Sequence, residues 1–108
     1  INGVDNYSYQ ALVTGAHGCV ASAANVVPEL FLAIIKSVKK GDLAGAWKHQ
    51  QKLSAAAKLL RYGAMVAYYK EGVRLRGFDA GYVRMPQREL SAKEKRDFAQ
   101  AMQAAGLI

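Results

Sequence analysis

Apolar residues return at helical intervals through most of this chain. Leu30, Phe31, Ile34, Ile35 and Val38 share one face of a helix that Pro28 opens and Gly41 closes. Proline suits the first helical position because its missing N–H would have no intrahelical partner there. Lys36, Lys39 and Lys40 fall in the last turns, where cations favour the negative end of the helix dipole. Asp42 then predicts a capped helix over residues 43–62, with Leu43, Trp47, Leu53, Ala57 and Leu60 on its apolar stripe and Gly63 after it. A further helix spans 64–76 and stops at Gly77, and residues 78–90, with Pro86, read as an irregular connection. Ser91 and Glu94 stand at capping-box spacing and open a last helix that buries Phe98, Met102 and Ala105 before Gly106.

Upstream of Pro28 the pattern changes. Residues 1–6 read as the tip of a strand and a glycine turn, with Asp5 or Asn6 able to cap a helix over 7–13 that Gly15 ends. Residues 18–22 read as a second, buried strand, which leaves through small residues and Asn25 into the helix at Pro28. A strand that empties its C-terminal end into a short loop and then a helix is the βα step of a parallel α/β fold. The expected order is therefore β-α-β-α followed by three helices. Two short parallel strands make a poor isolated sheet, so the chain is expected to be the end of a larger structure, exposing strand edges when alone.

Composition narrows the classes. With 108 residues, 52% hydrophobic and 21% charged, the chain suits one globular unit with a real core, and no apolar run approaches the ~20 residues of a membrane span. No signal peptide is visible, and the single cysteine, Cys19, permits no internal disulfide; both point to a cytoplasmic setting. The net charge of +7 raises the question of nucleic acid, but the basic residues are spread between apolar positions, as on solvated helix faces. Neither a nucleic acid nor a membrane is the expected partner.

Candidate chemistry is sparse. His17 and His49 have no ligand at metal spacing, and no GxGxxG or P-loop is present, so no metal or cofactor is expected. Cys19 reads as a packed, inert thiol, and Asp5 and Glu29 as helix-end carboxylates. Tyr68, Tyr69 and Trp47 read as packing residues. What remains is positional: the two strand ends would lie side by side on the face where parallel barrels hold ligands. The groups there are the Ser22 hydroxyl, the Asn25 amide, the Asp5 carboxylate and backbone.

The stretches Asn2-Gly3-Val4-Asp5 and Gly15-Ala16-His17-Gly18-Cys19-Val20-Ala21-Ser22-Ala23-Ala24-Asn25-Val26-Val27-Pro28-Glu29, with the Gly41-Asp42-Leu43 break, resemble the C-terminal part of the dihydrodipicolinate synthase / N-acetylneuraminate lyase family. Lys70 to Gly77, Tyr82-Val83-Arg84-Met85-Pro86 and Ala104-Ala105-Gly106-Leu107-Ile108 are similar to its final helices. The resemblance implies the C-terminal portion of a (β/α)8 TIM barrel. Residues 1–41 would hold the last two βα units and 42–108 a three-helix extension, with the earlier strands upstream. It implies a class I aldolase or lyase, usually a homotetramer, that forms a Schiff base between a lysine and pyruvate or another 2-oxo acid. That lysine and a proton-relaying tyrosine would lie upstream of Ile1, so no catalytic residue is expected here.

By position, the resemblance assigns Gly3 and Val20 to the pyruvate side, and Asp5 and Ser22 to the tail of the substrate. With Asn25 these are the expected substrate-binding residues. Asn6 stands where sialic-acid lyases carry a glutamate, and Ser22 where a valine is usual in the synthases; a 2-keto-3-deoxy sugar acid aldolase fits the polar Ser22. The competing expectation, of another class, is a non-enzymatic barrel remnant serving as a basic helical binding module.

Overall fold

Five α-helices carry the fold, and a computed structural model describes residues 1–108. They are α1 (Ser8–Val13), α2 (Pro28–Lys39), α3 (Leu43–Leu59), α4 (Val66–Leu75) and α5 (Ala92–Ala104). Short 3₁₀ turns at Asp5–Tyr7, Ala23–Asn25 and Arg61–Gly63 join them. The extents are 44 × 28 × 20 Å.

The two expected strands do not form. They reduce to one parallel bridge between Asn2 and Cys19, in which the Asn2 amide donates to the Gly18 carbonyl at 2.9 Å and the Val20 amide to the Asn2 carbonyl at 2.8 Å. The expected direction of pairing is present. Its extension is not, because each segment has only the other to bond and turns away after one residue pair. Val4 and Val20, which flank the bridge, are exposed, and Cys19 is only half-buried, so the expectation of a buried strand is corrected here.

The helices follow local chemistry. Pro28 heads α2 with Glu29 in its first turn. The Asp42 carboxylate accepts the Gly45 amide at 2.9 Å and caps α3. A Cβ at Gly45 would stand 2.1 Å from the Asp42 Oδ2 atom, so a larger residue there would make the capping carboxylate turn aside. At α5 the Ser91 hydroxyl accepts the Glu94 amide at 3.2 Å and the Glu94 carboxylate accepts the Ser91 amide at 2.8 Å, a complete capping box.

The core lies between α2 and α3. Val26, Val27, Phe31 and Ile34 meet Leu53, Ala56 and Leu60, and Tyr68, Phe98 and Met102 close it from α4 and α5. The Tyr68 and Phe98 rings pack edge to face at 5.2 Å. Each fully buried aliphatic side chain of this set contributes about 1.5–3 kcal/mol. The stripe expected along α3 holds only for its second half. Leu53, Ala57 and Leu60 are buried, whereas Leu43 and Trp47 are exposed, because α2 covers only part of the longer helix; Trp47 instead leans on Tyr9, ring centroids 5.6 Å apart.

The α3–α4 junction departs most from expectation. The helix expected to reach residue 62 stops at Leu59, and Arg61, Tyr62 and Gly63 take positive φ of 58°, 51° and 84°. Left-handed backbone costs an L-residue about 1–2 kcal/mol, and only the glycine escapes this. The Arg61 guanidinium rests over the Tyr68 ring at 5.2 Å and pins the turn. At the other end of α4, Arg76 pairs with Glu29 at 2.9 Å and donates to the Leu107 carbonyl at 2.7 Å, joining the start of α2 to the end of the chain.

Candidate functional site

Asp5 begins the first 3₁₀ turn but does not cap a helix, which corrects the expected role. Its carboxylate is drawn across the bridge to accept the Ala23 amide at 3.3 Å. The capping work passes to Gln50, a fully buried residue of α3. Its Oε1 accepts the Tyr9 amide at 2.8 Å, and its Nε2 donates to the Asp5 carbonyl at 3.1 Å and the Ser54 hydroxyl at 3.2 Å. An orphan donor of the first turn of α1 is thus satisfied from another helix. The turn that carries Gly3, Asp5 and Asn6 is held against α3 by this one amide.

The end of the first segment and the 3₁₀ turn after the second enclose a cavity of about 210 Å³, lined by Gly3, Val4, Asp5, Asn6, Ser22 and Tyr62. Three of the five sequence-derived site residues, Gly3, Asp5 and Ser22, meet here. A larger cavity of about 460 Å³ adjoins it, with Ser22 common to both. Asn25, Gly63, Tyr69 and Lys70 are among its lining residues. Val20 lines neither; it is 70% exposed, and its amide is committed to Asn2, which leaves its carbonyl as the polar group on offer. The Asn25 amide side chain donates to the Ser22 carbonyl at 3.0 Å and fixes the loop between the two cavities.

The electrostatics set these residues apart. Burial pushes the Asp5 carboxyl above its ordinary value, and the backbone amides of Ala23 and Ser22 pull it partly back. Burial also raises the Tyr69 phenol, and the Asp5 charge adds to this. The Tyr69 hydroxyl and the Asn6 Oδ1 atom are both buried without a hydrogen-bond partner. Unpaired buried polar atoms are rare, and two of them border these cavities. Lys70 donates to the Ala80 carbonyl at 2.6 Å beside the larger one. No group of three or more His, Cys, Asp and Glu side chains could hold a metal ion. Donors, acceptors and one carboxylate around a small space suit the binding of a hydroxylated molecule.

Sequence reasoning missed Gln50, Tyr62 and Tyr69. Gln50 lies on a helix face like any polar residue, and its partners are 41 and 45 positions away. Tyr62 would have needed a left-handed turn to be foreseen at two non-glycine residues. Tyr69 carried one signal, its place in a buried helix with a hydroxyl to satisfy.

A sequence profile described as the Dihydrodipicolinate synthetase family matches residues 1–105. The 4-hydroxy-tetrahydrodipicolinate synthase of Rhodopseudomonas palustris is 32% identical over 108 residues, which cover 100% of this chain and 36% of that protein. Among solved structures, Proteus mirabilis N-acetylneuraminate lyase superposes with a TM-score of 0.86 at 32% identity, covering 98% of this chain and 36% of the other. KD(P)GA from T. tenax superposes with a TM-score of 0.88 at 31% identity, covering 97% and 37%. The chain spans about a third of the length of the relatives it matches.

Proposed function

Because this chain belongs to the dihydrodipicolinate synthetase family, we propose that it forms the closing portion of a pyruvate-dependent Schiff-base aldolase or lyase. On this reading residues 1–41 are the last two βα units of a (β/α)8 barrel and 42–108 its helical extension. The observation that carries it is the parallel Asn2–Cys19 bridge, from which both segments run on to one cavity bounded by Gly3, Asp5 and Ser22. Ligands of parallel barrels sit at that end of the strands.

The chemistry belongs to a lysine elsewhere in the full polypeptide. Desolvated in a barrel mouth, its amine is neutral enough to attack the ketone of pyruvate and expel water. The iminium then draws electrons from the adjacent carbon, so that a carbon–carbon bond to an aldehyde can form or break there. Residues 1–108 bind and orient. Gly3, where a Cβ would meet nothing within 4 Å, leaves the wall open beside the 2-oxo acid, and on this reading the Val20 backbone faces the 2-oxo acid in the complete barrel. Asp5 and Ser22 hydrogen-bond hydroxyls of the aldehyde partner, and Asn25 holds the Ser22 loop in place. A dihydrodipicolinate synthase-like or 2-keto-3-deoxy sugar acid aldolase-like reaction fits this set. Homotetrameric assembly and a cytoplasmic setting go with the reading; no helix here is long and apolar enough to cross a membrane.

The test is the full polypeptide treated with pyruvate and borohydride. The expected result is a reduced pyruvate adduct, located by peptide mass outside residues 1–108; no adduct overturns the proposal. Ser22→Ala is expected to raise the KM of the aldehyde partner about two- to tenfold, the worth of one hydrogen bond, and to leave that of pyruvate unchanged.

A further inference from the structure

We infer that Tyr62 determines the selectivity of this site for hydroxylated aldehydes, an inference that rests on the aldolase reading above. The first ground is conformational. Arg61, Tyr62 and Gly63 adopt three successive positive φ angles of 58°, 51° and 84°. Glycine takes such angles without strain, and arginine and tyrosine do not. A reversal between α3 and α4 needs no tyrosine, yet the left-handed turn holds one. Strain of this kind gathers at ligand sites, where the surrounding structure imposes it.

The second ground is where the turn delivers its side chain. Leu60, just before it, is fully buried, and the Arg61 guanidinium lies on the Tyr68 ring at 5.2 Å, so the backbone is anchored where it enters Tyr62. Tyr62 itself packs into no core. It stays 59% exposed and joins Gly3, Asp5, Asn6 and Ser22 around the 210 Å³ cavity.

The third ground is chemical. Asp5 offers carboxylate oxygens, Asn6 a buried Oδ1 atom with no partner, and Ser22 a hydroxyl. This set is rich in acceptors. The Tyr62 phenol adds a rotatable donor and a flat apolar face, the pair of features that reads a carbon chain bearing hydroxyl groups. An aldehyde without hydroxyls would leave the polar groups unpaired, which a built polar site penalises strongly.

The experiment uses the full polypeptide, pyruvate, and two aldehyde probes, D-glyceraldehyde and propionaldehyde. Tyr62→Gly removes the side chain and also relieves the left-handed strain, so its Tm is expected at or above that of the parent. Its KM for D-glyceraldehyde is expected to rise about two- to tenfold more than its KM for propionaldehyde, with the pyruvate–borohydride adduct still formed. Tyr62→Phe, which keeps the ring, is expected to shift D-glyceraldehyde in the same direction. If both variants leave the preference between the two aldehydes unaltered while the adduct still forms, the role of Tyr62 is overturned and the aldolase reading stands. If the parent forms no adduct, both fall.

Discussion

Gln50 is the residue on which the N-terminal turn depends. It is 1% exposed and makes three hydrogen bonds, accepting one and donating two, and two of the three join it to the N-terminal segment that carries Asp5 and Tyr9. Gln50→Ala would leave the Tyr9 amide without a partner and remove one bond from the Asp5 carbonyl, which still accepts from Ser8, and an unpaired buried group costs about 1–3 kcal/mol. The expected loss of stability is about 2 kcal/mol, read by urea denaturation, and a loss within the noise of the measurement would mean that water replaces the side chain. Nothing near Gln50 in sequence announces this role. Asp42 and Ser91 were legible as caps because a cap and its partner lie within three residues. Gly3, Asp5 and Ser22 were legible as neighbours through the order of the segments, whereas Asn25 lines the larger cavity with Ser22 and Val20 lines neither. The polar contacts made across α3 belong to the packed molecule alone.

Elements succeed or fail according to where their hydrogen bonds go. The helices α2, α3, α4 and α5 were readable because their bonds are internal and their apolar faces periodic. The strands were not realised because a strand needs neighbours, and this segment pair supplies one bridge. The end of α3 was misread by the rule that glycine marks a stop: Gly63 does mark it, but the left-handed path begins two residues earlier. The capping box of α5 gives a pH dependence with a definite sign. Arg88, at 2.7 Å, and then the Ser91 amide hold the Glu94 carboxyl down from 4.5 to about 2. A lowered folded-state pKa adds stability that is complete above 4.5 and disappears as pH falls from there towards 2. Helical circular dichroism during thermal melts should show this loss, and Glu94→Gln should flatten it. Asp5 has the opposite sign: burial raises its pKa, so protonating it as pH falls favours the folded state.

At the scale of the whole molecule, two close contacts set how the elements meet. Gly72 in α4 faces Val26 so tightly that a Cβ would stand 2.9 Å from Val26 Cγ1. Gly72→Ala gains up to about 1 kcal/mol of helix propensity and meets an overpacking cost of about 1–3 kcal/mol, so a net loss near 1 kcal/mol is expected. Relative to Val26→Ala alone, the double variant should no longer show that loss, since the smaller side chain clears the space; a double-mutant cycle measures the coupling. The second contact is the Tyr9 amide on the Gln50 side chain, a bond 41 residues long in sequence and 2.8 Å in space. That proton is a built-in clock. It can exchange with deuterated solvent only when the N-terminal turn lifts from α3, so it should be the slowest to exchange in its own short helix. Because the same turn carries Asp5, a molecule bound between Asp5 and Ser22 should slow the clock further, and nuclear magnetic resonance could follow occupancy of the cavity from an amide that never touches the ligand.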